Sequence, residues 1–76
     1  MTDWYQTARA VLRAELVRQD ISYRHLAGLL AQIGVAETER SIASKLSRGS
    51  FSFAFYLQCM KALGRAEARI DMTVVK

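Results

Sequence analysis

Apolar positions recur with a helical period along most of the chain. From about Asp3 to Arg18, Trp4, Ala8, Val11, Leu12 and Leu16 fall together while Arg9, Arg13 and Arg18 take other faces, which predicts an amphipathic first helix. Ser22 can cap a second helix, with Ile21 before the cap and Leu26 four positions after it in the arrangement of a hydrophobic staple. Tyr23, Leu26, Ala27, Leu30 and Ile33 line one face of that helix, and Gly34 ends it. Thr38 is the natural cap of a third helix running to about Arg48, with Glu37 and Glu39 suited to the positive end of its dipole. Ile42 and Leu46, one turn apart, are its inward anchors. Projection at about 100° per residue sets Arg40, Ser41, Ser44, Ser47 and Arg48 on the opposite side, with Lys45 at the margin.

Gly49 punctuates the third helix, and Ser50 or Ser52 can cap a fourth whose core stripe reads Phe53, Tyr56, Leu57, Met60 and Leu63 before Gly64. Phe55 and Cys59 lie off that stripe, so this helix is apolar on more than one face, as expected in the middle of a bundle or across a dimer contact. From about Ala66 to Val75 the period changes to two: Ala68, Ile70, Met72 and Val74 alternate with Arg69, Asp71, Thr73 and Val75, which predicts a strand. The pattern thus describes a mainly all-α, four-helix domain over residues 1–64 and a C-terminal strand or tail over 65–76.

A chain of 76 residues is one domain that buries only about 60% of the surface its unfolded form exposes. Cys59 is the only cysteine, which leaves no disulfide framework and no zinc spacing. Tight helix packing and self-association are the remaining aids to stability. A lone strand has no partner in its own chain, so pairing of the tail with a second copy is expected to make a homodimer, with Phe55, Cys59, Ile70, Met72 and Val74 as interface candidates. No stretch approaches the roughly 20 apolar residues of a membrane span, and the first residues lack a basic segment followed by an apolar run. A soluble, cytoplasmic protein is expected.

The inventory for catalysis is thin: one His, one Cys and seven carboxylates scattered along the chain. His25 beside Arg24 reads as a surface residue, and there is no Gly-rich phosphate loop, metal-ligand spacing or nucleophile motif. The sequence therefore points to no enzyme, no metal and no cofactor. The net charge of +4 favours contact with phosphates, but where the cations fall matters more than their sum.

The order of elements, with Leu26-Ala27 inside the second helix, Gly34-Val35 at a turn and Arg48-Gly49 closing the third helix, resembles the lambda-repressor-like helix-turn-helix fold. More closely, the run Lys45-Leu46-Ser47-Arg48-Gly49-Ser50-Phe51-Ser52, followed by Leu57-Gln58-Cys59, resembles a family of small bacterial domains of unknown function assigned to that fold class. Eight positions separate Leu26 from Gly34, more than in the usual repressor pattern, so the residue choices rest on the helical projection.

The resemblance implies that the third helix enters the major groove of double-stranded DNA, while the start of the second helix and the loop after the third touch the backbone. Arg40, Ser41, Ser44 and Lys45 are then base-reading candidates, and Ser22, Arg24, Arg48, Ser50 and Ser52 are phosphate candidates. The implied function is sequence-specific transcriptional regulation in a bacterial or phage cytoplasm. The alternative is a protein-interaction adaptor, antitoxin-like or polymerase-associated, that keeps the fold; its supporting feature is the crowding of Phe51, Phe53, Phe55 and Tyr56 into six positions.

Overall fold

The computed structural model describes residues 3–68 together with Ile70 and Met72. It contains four helices: α1 (Trp4–Arg18), α2 (Tyr23–Gln32), α3 (Glu39–Arg48) and α4 (Phe53–Ala62). Each begins at a short polar side chain that takes up otherwise orphaned N–H groups, a contact that typically contributes about 1 kcal/mol. The Asp3 carboxylate accepts from the amides of Tyr5 at 3.0 Å and Gln6 at 3.2 Å. The Ser22 hydroxyl accepts from His25 N–H at 3.0 Å, and Ser52, rather than Ser50, accepts from Phe55 N–H at 3.0 Å.

The helix ends are equally local. Beyond α2, Val35 N–H returns to the Leu30 carbonyl at 2.9 Å and Gly34 N–H to the Ala31 carbonyl at 3.0 Å, the paired bonds of a Schellman motif. Beyond α1 the same pattern forms around Asp20, which takes φ 55°, with Ile21 N–H bonded to the Leu16 carbonyl at 2.9 Å. Asp tolerates the left-handed region better than most side chains.

Every helix sends pairs spaced four residues apart into one core: Leu12 and Leu16, Leu26 and Leu30, Ile42 and Leu46, and on α4 Phe55 and Cys59 beside Tyr56 and Met60. That spacing puts both members of a pair on the same face. Helix α2 packs on both α3 and α4, and α1 packs on α3.

Helix α4 corrects the expected stripe. Tyr56, Met60 and Leu63 do face the core, but Phe53 and Leu57 point outward while Phe55 and Cys59 are buried. A helix apolar on most sides leaves its own phase undetermined; here the phase is set by Phe51, whose ring meets that of Phe55 edge-on at 5.8 Å. Phe55 and Cys59 therefore belong to the chain's own core and offer no surface to a second copy. Trp4 on α1 and Ile33 after α2, also expected inside, are exposed.

The expected C-terminal strand is absent among the described residues: Ala66 and Glu67 form a bend, and Ala68, Ile70 and Met72 belong to no ladder. Arg69, Asp71, Thr73, Val74 and Val75 lie outside the described residues. No helix among the described residues is long and apolar enough to cross a membrane.

Of the four glycines, only Gly49, in the α3–α4 turn, lies against the backbone of another helix. Gly49 takes φ 67°, and a Cβ there would overlap the backbone carbonyl of Tyr5 on α1. Gly34 also has a positive φ, but the space around it is open. Replacing each by alanine separates the two costs. Gly34→Ala is expected to lose about 1 to 2 kcal/mol for the left-handed backbone alone, and Gly49→Ala clearly more, since α1 must also move. Urea unfolding of both variants checks this, and equal losses would mean that the α1 contact contributes nothing.

Candidate nucleic-acid interface

The third helix has two distinct polar sides. On one, Thr38 and Ser41 form a reciprocal cap: Ser41 N–H donates to the Thr38 hydroxyl at 3.0 Å, and Thr38 N–H donates to the Ser41 hydroxyl at 2.8 Å. The Ser41 proton goes to Glu37 Oε1 at 2.6 Å, and Lys45 Nζ donates to Glu37 Oε2. Lys45 also sits 4.9 Å from the centre of the Phe55 ring, a cation–π distance. Burial alone would raise the Glu37 pKa, but the hydrogen bonds from Lys45 and Ser41 and the lysine's charge outweigh it and hold the carboxyl below its ordinary value.

This network engages two of the base-reading candidates. Ser41 and Lys45 are half-buried and bonded within the protein: the one hydroxyl proton of Ser41 is taken, and the charge of Lys45 is compensated by Glu37 although two of its three N–H groups are left over. Their partner Glu37 precedes the helix and reaches Lys45 eight residues on, beyond the spacing at which sequence pairs are sought on one helix.

On the other side, Arg40, Ser44, Ser47 and Arg48 stand at spacings of four, seven and eight residues and all four are exposed. They therefore form one continuous outward row, with Ile42 and Leu46 fully buried behind them. Among the described residues neither Arg40 nor Arg48 has an ion-pair partner. Of the remaining phosphate candidates, Arg24 is exposed on the first turn of α2, Ser22 and Ser52 are exposed caps, and Ser50 is exposed in the α3–α4 turn.

Arg9 completes the surface and was not singled out from sequence. Its Nη1 donates to the Ser47 carbonyl at 2.6 Å, so a cation of α1 is fixed at the C-terminal end of α3, where the helix dipole favours it. No local signal identifies a bond between residues 38 positions apart.

Glu15 was missed for the same reason. It is buried on α1, accepts from Arg65 Nε at 2.7 Å and lies 3.6 Å from Arg18 Nε. Burial alone would raise its pKa, but the hydrogen bonds from Arg65, Arg18 and Gln19 more than offset that and lower it. The neighbouring Tyr56 phenol is pushed up, chiefly by burial and then by the charge of Glu15. Burial pushes the Cys59 thiol up to about 12, with Glu37 adding in the same direction, so this sulfur stays protonated and unreactive.

Both carboxylates have folded pKa values below the ordinary 4.5. The stability they contribute is therefore present above that value and is lost as pH falls through the lowered ones. Glu15→Gln and Glu37→Gln are expected to lower the urea midpoint at neutral pH, and the double variant to lose less than the parent between neutral pH and about pH 3. An unchanged acid sensitivity would show that the two pairs do not stabilise the fold.

No curated protein and no solved structure shows a significant match to the chain. The profile of one family, described as a domain of unknown function (DUF6471), matches residues 4–68, a span that holds all four helices and both carboxylate networks. The chain belongs to this DUF6471 family of domains of unknown function.

Proposed function

We propose that this domain binds double-stranded DNA in a sequence-specific manner and acts in transcriptional control, with α3 entering the major groove as the second helix of a lambda-repressor-like helix-turn-helix unit. The observation that carries the reading is the outward row of α3: two unpaired arginines, Arg40 and Arg48, separated by two small hydroxyls, Ser44 and Ser47, on a helix whose opposite face is locked into the core. Long cations reach guanine O6 and N7, and serine permits close approach of the helix to the bases. Glu37 in the preceding loop is paired with Lys45, while Glu39 on the first turn of α3 stays exposed beside Arg40 and is the one carboxylate of this helix that a phosphate would meet.

Supporting features lie around the row. Residues 33–38 connect α2 to α3, and this link is held at one end by the Schellman bonds and at the other by the Thr38–Ser41 cap. A rigid link fixes the second helix on the first, as reading bases demands. Arg24 on α2, Ser50 and Ser52 beyond α3, and Arg9 at the end of α3 then meet phosphates on either side of the groove and position the domain without specifying sequence. Arg40 and Ser44 are the base readers.

Selection of bound fragments from random duplex DNA supplies the target, and fluorescence anisotropy measures its affinity. Arg40→Ala is expected to weaken binding to the selected site by about 1 to 3 kcal/mol and relax the preference at one position. Arg48→Ala should weaken all duplexes alike and reduce the slope of log affinity against log salt by about 1. Selection that enriches no sequence, or an Arg40→Ala variant that is folded and binds as tightly as the parent, would refute the reading. An affinity independent of salt would favour a protein-binding adaptor instead.

A further inference from the structure

Between the start of α1, the α3–α4 turn and the start of α4 lies an apolar groove of about 290 Å³, walled by Trp4, Val11, Phe53, Tyr56 and Met72. Two of its aromatics are largely uncovered, Trp4 at 61% and Phe53 at 67% exposure. Leu57, one turn beyond Phe53 on the outer side of α4, is 44% exposed.

We infer that this face is where a second copy of the chain docks, α4 against α4 in antiparallel sense about a two-fold axis. The inference stands independently of DNA binding.

Three observations lead there. The first is area. With aromatics offering about 150 to 250 Å² each when fully exposed, the uncovered parts of Trp4, Phe53, Leu57, Ile70 and Met72 come to roughly 500 Å² per chain. That is near the upper end of the apolar patches that single soluble domains expose. Doubled across a two-fold axis it reaches about 1,000 Å², the lower bound for a biological interface and the size of a weak, reversible dimer. Aromatic and Met side chains are also the types enriched at interface centres.

The second observation is charge. The chain carries +4 overall, so two copies repel least where cations are few, and among the described residues the groove lining contains no charged side chain.

The third is polarity along the row. Phe53, Leu57 and Lys61 follow one another at four-residue spacing on the outer side of α4, all exposed, while Asp3 caps α1 beside Trp4 at the Phe53 end. An antiparallel pairing brings Lys61 of each copy toward Asp3 of the other and opposes the helix dipoles; a parallel one would set the two lysines together. A two-fold contact of this kind is self-complementary and closes at two copies. It requires no strand, so it replaces the dimer expected from the C-terminal tail.

Sedimentation equilibrium of the full chain without DNA is the test. The parent is expected to dimerise, with Trp4 emission moving to the blue as concentration rises. Leu57→Glu should weaken the dimer at least about 30-fold, with helical circular dichroism unchanged because Leu57 lies at the surface. Phe53→Ser should do the same without adding charge, and Lys61→Glu should weaken it less. A parent that stays monomeric up to about 1 mM, or folded Leu57→Glu and Phe53→Ser variants that associate like the parent, would overturn the inference. So would a dimer abolished by removing residues 66–76 but indifferent to Leu57→Glu, which would assign association to the tail.

Discussion

The whole arrangement depends on how closely α1 approaches the end of α3. Gly49 has no side chain to hold the Tyr5 carbonyl away, and one turn along α1, Arg9 reaches the Ser47 carbonyl. These contacts attach the first helix to the last turn of the third from outside the core. With Ile42 and Leu46 fixed from within, α3 has no freedom to roll, and the row Arg40, Ser44, Ser47 and Arg48 is held facing solvent. A small domain has few contacts to spare, and here one glycine decides whether two helices can touch.

Charge placement follows from the same packing. The two carboxylates brought inward, Glu15 and Glu37, take up Arg18, Arg65 and Lys45. The arginines of the outward row are left without partners among the described residues. Three cations are thereby compensated within the protein while Arg40 and Arg48 are not, and such placement matters more for meeting a polyanion than the total charge does. The apolar groove by Trp4 and Phe53, with no charged side chain among its described lining residues, is a third region, so the proposed DNA-binding row and the proposed dimer face do not overlap.

How much of this is legible in the sequence varies from helix to helix. The phase of α3 is readable because Ile42 and Leu46 are its large apolar residues amid serines and cations, so only one rotation buries them. The phase of α4 is not, because Phe53, Phe55, Tyr56, Leu57, Cys59 and Met60 leave almost no polar side to exclude; the choice is made by Phe51 and by the neighbouring helices. The caps at Ser22 and Thr38 are local and were readable, whereas the loss of Ser41 and Lys45 from the outward face was not, since it depends on a carboxylate in the loop before the helix. The Glu15–Arg65 pair spans 50 residues, and only the folded chain brings it together. The alternation at the C-terminus reads as a strand by period alone, yet a strand needs a partner, and none is present among the described residues.

The central claim, that the outward row of α3 is the surface that meets DNA, is tested most directly by titrating the isotopically labelled domain with its selected duplex at low salt and following each backbone amide by NMR. The account predicts shifts concentrated from Arg40 to Ser50 and around Ser22 to Arg24, with Glu37 and Lys45 remaining paired. Shifts centred on Trp4, Phe53 and Leu57 with α3 unperturbed, or none at all with duplex in excess, would contradict it.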